Sequence, residues 1–105
     1  MTDKRIILST AGSKKEAQKI ARGLVERKLA ACVNIVGPIE SVYRWKGAVN
    51  TSKEFLLVIK TTAEACERVG YLIRMLHSYE LPECVELAIE GGLPKYLEWI
   101  GKSVE

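Results

Sequence analysis

A chain of 105 residues with 48% hydrophobic content suits one domain with a single modest core, residues 1–105, and has no room for a second. Its net charge of +3 arises from 16 basic and 13 acidic residues that are interspersed, and the basic clusters are pairs such as Lys4-Arg5 and Lys14-Lys15, shorter than a nucleic-acid footprint. No apolar run approaches the ~20 residues of a membrane span, and Met1 to Arg5 leads into a strand pattern rather than a signal-peptide core, so the expected compartment is cytoplasmic. Cys32, Cys66 and Cys84 are odd in number and lack CxxC spacing, which predicts reduced thiols rather than a disulfide framework.

Arg5 to Thr10 is a short run ended by Ala11-Gly12 and reads as a buried strand. Ser13 three residues before Glu16 has capping-box spacing, and Ala17, Ile20, Ala21, Leu24 and Val25 form one apolar stripe of a helix running to about Lys28. Leu29 to Val36 is apolar except for Asn34, and Ser41 to Lys46 alternates as strand beyond Gly37-Pro38. Gly47 to Lys53 reads as a turn, from which Glu54 to Lys60 returns as the next strand. Thr61 with Glu64 offers a second capping box before the stripe Ala65, Val69, Leu72, Ile73 and Leu76. After a polar connection over His77 to Glu83, Val85, Leu87 and Ile89 alternate in a last strand; Gly91-Gly92 breaks it, and Pro94 opens a terminal helix.

The order β-α-β-β-α-β-α is α+β, and its first six elements make the split βαβ, ferredoxin-like arrangement: an antiparallel sheet with two helices on one face and the other face bare. Right-handed crossovers place the first strand beside the third. The arm from Ala30 to Lys46 would extend to about 55 Å, against about 35 Å for a globule of this size. Either it bends at Gly37-Pro38, or its distal half, with Ile39, Val42, Tyr43 and Trp45, leaves the sheet and needs another surface. Burying one aromatic is worth at most about 4 to 6 kcal/mol by area, so the long hairpin and bare face predict an oligomer in which Ile39, Val42, Tyr43 and Trp45 form the interface.

Ala21 to Ile35, the segment Ser41-Val42-Tyr43-Arg44-Trp45-Lys46-Gly47, Lys60-Thr61-Thr62, His77-Ser78-Tyr79-Glu80-Leu81-Pro82-Glu83 and Tyr96 to Ile100 together closely resemble the CutA family of divalent-cation tolerance proteins, nearly end to end and in order. That resemblance implies a homotrimer of ferredoxin-like subunits, similar in architecture to PII-type signalling proteins, that binds divalent cations, chiefly copper. It places the histidine of the family's His-Pro-Tyr-Glu segment on His77. Ser9 and Leu76 stand where some members carry a cysteine and a second histidine, and Ser78 replaces the usual proline, which predicts a less rigid loop.

His77 is the only histidine; imidazole suits copper or zinc, and Glu80, Glu83 and Cys84 complete the candidate metal ligands. The blander reading has a charged His77 complementing the C-terminus of the second helix, with Tyr79 and Pro82 shaping the turn, and the cysteines as small packing groups. Tyr43, Arg44, Trp45, Lys60 and Tyr79 are candidates for lining an intersubunit cleft, with Arg44, Lys46 and Lys60 as a candidate anion-binding rim. The preferred expectation is a non-enzymatic trimer that binds a divalent metal or a small signal, with no cofactor needed for folding and no nucleic-acid or membrane partner. The alternatives are a small-molecule enzyme using His77 or Glu83 as acid-base and Cys84 as nucleophile, or a PII-like interaction scaffold; no phosphate-cradling glycine loop, Ser-His-Asp order or metalloprotease helix is present.

Overall fold

The apolar run Ile6-Ile7-Leu8 forms the middle of the first strand, β1 (Lys4–Ala11), in a computed structural model that describes residues 2–105. Helix α1 (Lys14–Glu26) is capped by Ser13, whose Oγ accepts from the Glu16 amide at 3.1 Å. It stops two residues short of the expected Lys28, which takes a left-handed φ of 58°; the Leu29 amide donates to Leu24 O and the Lys28 amide to Val25 O, a Schellman ending with lysine where glycine is usual. Strand β2 (Cys32–Trp45) and strand β3 (Ala48–Thr62) follow, then α2 (Cys66–Leu76), β4 (Val85–Ala88) and α3 (Pro94–Ser103). The sheet order β2-β3-β1-β4 is antiparallel throughout, as the crossover rule predicts.

Two expectations about turns are corrected. Gly47 to Lys53 is not a loop: Trp45 pairs directly with Ala48, and Lys46 (φ 51°) and Gly47 (φ 81°) alone make the reversal. Positive φ at both central residues is the type I′ signature, which matches strand twist and extends the ladder through the polar run that sequence alone reads as a turn. Nor do Thr61 and Glu64 cap α2. Thr61 lies buried in β3 and donates its hydroxyl to Leu29 O at 2.6 Å, while α2 starts after Ala65 with no side-chain cap.

The core lies between α1, α2 and one sheet face, where Ile7, Leu57 and Ile59 meet Ile20, Leu24, Val69 and Ile73, all essentially buried. The opposite face is not wholly bare. Register puts Lys4, Ile6 and Leu8 on it with Lys60, Val58 and Cys32, and α3 covers one end: the Tyr96 hydroxyl lies 3.8 Å from Cys32 Sγ, and Gly101 abuts the Lys4 side chain. Val85 and Leu87 of β4 stay exposed on that face.

The hairpin bends where proline predicts. Val36 pairs with Leu56 and Ile39 with Glu54, so β2 spends one residue more than β3 across Gly37 and Pro38, whose peptide bond is cis. The extra residue reverses the phase of β2, so Ile39, Ser41, Tyr43 and Trp45 continue the face of Val36, while Val42 and Arg44 turn to the other side. The distal ribbon makes the molecule 44 Å long and only 25 by 22 Å across. It is open on both sides: Tyr43 and Trp45 are exposed on one, and Val42 and Val49, each 65% exposed, on the other.

Candidate functional site

The connection from α2 to β4, residues 77–84, is short and polar, and hydrogen bonds to four residues outside it, Ser9, Thr10, Glu16 and Glu54, pin it. His77 Nε2 lies 2.6 Å from Thr10 O and its Nδ1 accepts from the Tyr79 amide at 3.1 Å. Because an amide can only donate, Nδ1 carries no proton and Nε2–H is the donor to Thr10. Ser9 donates its hydroxyl to Glu83 O at 2.8 Å, and Ser78 donates both its amide and its hydroxyl to the Glu16 carboxylate, at 2.8 and 3.1 Å. Finally, the Tyr79 hydroxyl donates to Glu54 Oε2 at 2.7 Å.

These contacts revise three expectations. Serine in place of proline at position 78 does not loosen the loop, since proline could not supply the amide that Glu16 accepts. Glu16 is not the second half of a capping box, because its carboxylate faces Ser78 instead of the Ser13 amide. His77 is neither an open metal ligand nor a charged partner for the helix end: both ring nitrogens are engaged within the chain, in a neutral tautomer that holds the loop to β1. Partial burial opposes ionisation of Glu16, but the hydrogen bonds it accepts from the Ser78 hydroxyl and amide outweigh it and hold this carboxyl below its usual range.

Pinned in this way, the loop forms one wall of a cleft of about 850 Å³, and the distal hairpin forms the other. Tyr79, Glu80, Leu81, Pro82 and Glu83 line it together with Ser41, Val42, Tyr43 and Trp45 of the hairpin, and Thr10 and Glu54 complete the lining. Glu54 is only 7% exposed; Tyr79 holds one of its oxygens, and the other has no protein donor among the described residues. Burial and the Glu54 carboxylate push the Tyr79 hydroxyl well above the usual phenol range, so it remains a donor. No lysine or arginine lines the cleft among the described residues.

Of the cleft candidates, the structure therefore brings together Tyr43, Trp45 and Tyr79, and separates Arg44 and Lys60. Arg44 lies on the reverse side of β2 through the bulge, and Lys60, hydrogen-bonded to Asn34, sits far down β3. The basic rim is thus replaced by an acidic interior. Glu80 and Glu83 line the cleft, but Cys84 turns away toward α2, its Sγ 3.6 Å from the place a β-carbon on Gly70 would occupy. Burial, then Glu86 and Glu83, push the Cys84 thiol up. Burial and Glu86 likewise raise Cys66 to about 11, the opposite of what a nucleophile needs. Among the described residues no three of His, Cys, Asp and Glu gather closely enough to hold a metal ion, so His77, Glu80, Glu83 and Cys84 do not form a complete site within one chain.

Glu54 and Thr10 escape a reading of the sequence alone. The available signal is a carboxylate opening the apolar run Phe55 to Ile59, in phase with Leu56 and Val58 on the sheet face away from the two helices.

The family model described as CutA1 divalent ion tolerance protein matches residues 5–103. A divalent-cation tolerance protein CutA of Thermus thermophilus is 44% identical over 95 residues, 90% of this chain and 92% of that protein. A protein CutA homolog of Xenopus laevis is 49% identical over 88 residues, covering 84% of this chain but only 58% of its own length, so the chain spans little more than half of that relative. The solved divalent cation tolerance protein (Cut A1) of Thermus thermophilus superposes with a TM-score of 0.95 at 41% identity, covering 97% of this chain and 99% of that one. A match across almost every element, including the long hairpin and the loop at 77–84, leaves one conclusion: this chain belongs to the CutA1 divalent ion tolerance protein family.

Proposed function

We propose that this protein is a non-enzymatic homotrimer that takes up a small cation, a divalent metal such as copper among them, in the cleft between its distal hairpin and the loop at 77–84. The observation that carries the reading is the charge of the cleft. In a chain of net charge +3, three carboxylates, Glu54, Glu80 and Glu83, line one cavity that no basic side chain enters among the described residues. Low-dielectric walls around like charges concentrate counter-ions, which favours cations over anions.

Assembly supports the same reading. The distal ribbon exposes apolar side chains on both sides, as a segment inserted between neighbouring copies would, and those copies would close the mouth of the cleft. A metal bound there is cargo that needs donors from a second subunit, because the described residues of one chain do not converge three ligands. An acid-base enzyme is the weaker reading: the His77 nitrogens are engaged in hydrogen bonds, and the Cys66 and Cys84 thiols are raised away from reactivity. The three free thiols fit a reducing, cytoplasmic setting.

Calorimetric titration of copper(II), zinc(II) and magnesium into the assembled protein tests this. Saturable binding with a simple ratio to subunits, weakened at least tenfold by the double substitution Glu80→Gln with Glu83→Gln, is the expected result. Binding unaffected by that change would remove the cleft from the reading.

A further inference from the structure

The inner end of the cleft is built differently from its rim. Glu80 and Glu83 are exposed on a loop, whereas Glu54 rises from a strand, is more than nine-tenths buried, and presents one fixed oxygen to the cavity. Its other oxygen accepts from the Tyr79 hydroxyl at 2.7 Å, and the phenolic oxygen keeps lone pairs with which to accept from an N–H group in turn. Tyr43, Trp45 and Tyr79 line the same cavity as Glu54, together with Ser41 and Thr10.

One accessible oxygen of an otherwise buried carboxylate side chain, beside aromatic walls, is poor chemistry for a metal ion, which needs several converging donors, and good chemistry for a polyatomic cation. An ammonium or guanidinium donates N–H groups to the carboxylate while its charge and attached carbon atoms rest against ring faces, where desolvation strengthens the cation–ring attraction. A cavity of about 850 Å³ has room for the organic body that carries such a group.

We propose that the Glu54 end of the cleft is a recognition site for an organic ammonium, a primary amine carried on an apolar or aromatic body. This deepens the cation-cleft reading and rests on it for the claim that the cleft is open to ligands. The same chemistry could come from a lysine or arginine of a neighbouring copy, and the experiment separates the two sources.

The test is calorimetric titration of phenethylamine hydrochloride into the assembled full chain at neutral pH, with 2-phenylethanol and phenylacetate as neutral and anionic counterparts and zinc(II) in a separate run. The expected result is saturable binding of phenethylamine, at least tenfold tighter than the alcohol, with no binding of the acid. Glu54→Gln should abolish the preference for the amine over the alcohol. Should that variant fail to fold, Trp45→Leu, which keeps an apolar side chain at this interface position while removing the ring, should weaken the amine at least fivefold. Zinc binding without amine binding overturns this proposal and leaves the cation-cleft reading standing; neither ligand binding overturns both. Amine binding that Glu54→Gln or Trp45→Leu leaves unchanged overturns the assignment to this end of the cleft. So does a structure of the assembly with a neighbour's basic side chain on Glu54.

Discussion

Replacing Tyr79 by phenylalanine removes a single hydroxyl and tests the strut on which the cleft depends. The bond it deletes spans 2.7 Å to a carboxylate that is 7% exposed, and hydrogen bonds to charged groups contribute about 1.5–3 kcal/mol net. Because Tyr79 itself is 36% exposed and water can reach the cleft, the lower end applies, about 1.5 kcal/mol at neutral pH. Urea denaturation of the wild type, Tyr79→Phe, Glu54→Gln and the double variant, all at one chain concentration, gives both the loss and the coupling. The expected coupling between the two positions is about 1 kcal/mol, since Tyr79→Phe removes the bond altogether and Glu54→Gln leaves the hydroxyl only a neutral, weaker acceptor. A Tyr79→Phe protein within about 0.5 kcal/mol of wild type, with no coupling to Glu54, would refute the claim that this pair braces the loop against the hairpin.

Gly37→Ala should destabilise by about 1–3 kcal/mol in the same assay, because its new β-carbon would lie 2.5 Å from Phe55 Cδ2 at the bulge; an unchanged midpoint would mean the ring moves freely. The carboxyl of Glu16 is depressed in the fold, so its contribution is complete above the unfolded value of about 4.3 and disappears as pH falls through the lower folded value. Glu16→Gln should accordingly be less stable than wild type at pH 7, with the difference shrinking below about pH 4; a difference constant with pH would contradict the link to Ser78. Alkylation by iodoacetamide at pH 8 should modify Cys66 far more slowly than free cysteine, since with a thiol raised to about 11 only about one side chain in a thousand is ionised. Rapid labelling of Cys66 in the folded protein would count against its half-buried, inert placement.

The periodic elements are legible because their causes are local. The stripe of Ala17, Ile20, Ala21 and Leu24 specifies which face of α1 is buried, and Gly37-Pro38 marks the bend in β2. Phase is a different matter. One residue more on β2 than on β3 decides whether Tyr43 or Arg44 faces the loop at 77–84, and nothing in the alternation of Ser41 to Lys46 reveals that count. The turn misleads for a related reason: Ala48 to Lys53 has no apolar alternation, yet pairing follows from the left-handed Lys46-Gly47 reversal rather than from hydrophobicity. His77 stands out by rarity, but its role depends on Thr10 O and on the amide of Tyr79, backbone atoms that composition does not place. Glu54 is hidden by the apolar run it opens, although a charge at that position in a strand is the kind of local exception that points to a site.

One chain does not cover the distal half of its own hairpin, so the mass of the particle in solution is the most direct test of how that ribbon is sheltered. Sedimentation equilibrium at micromolar concentration should give three times the chain mass, and Val42→Asp together with Trp45→Asp should shift the protein to a smaller species with its secondary structure retained. A wild-type protein that sediments as a stable, well-folded single chain would contradict the account.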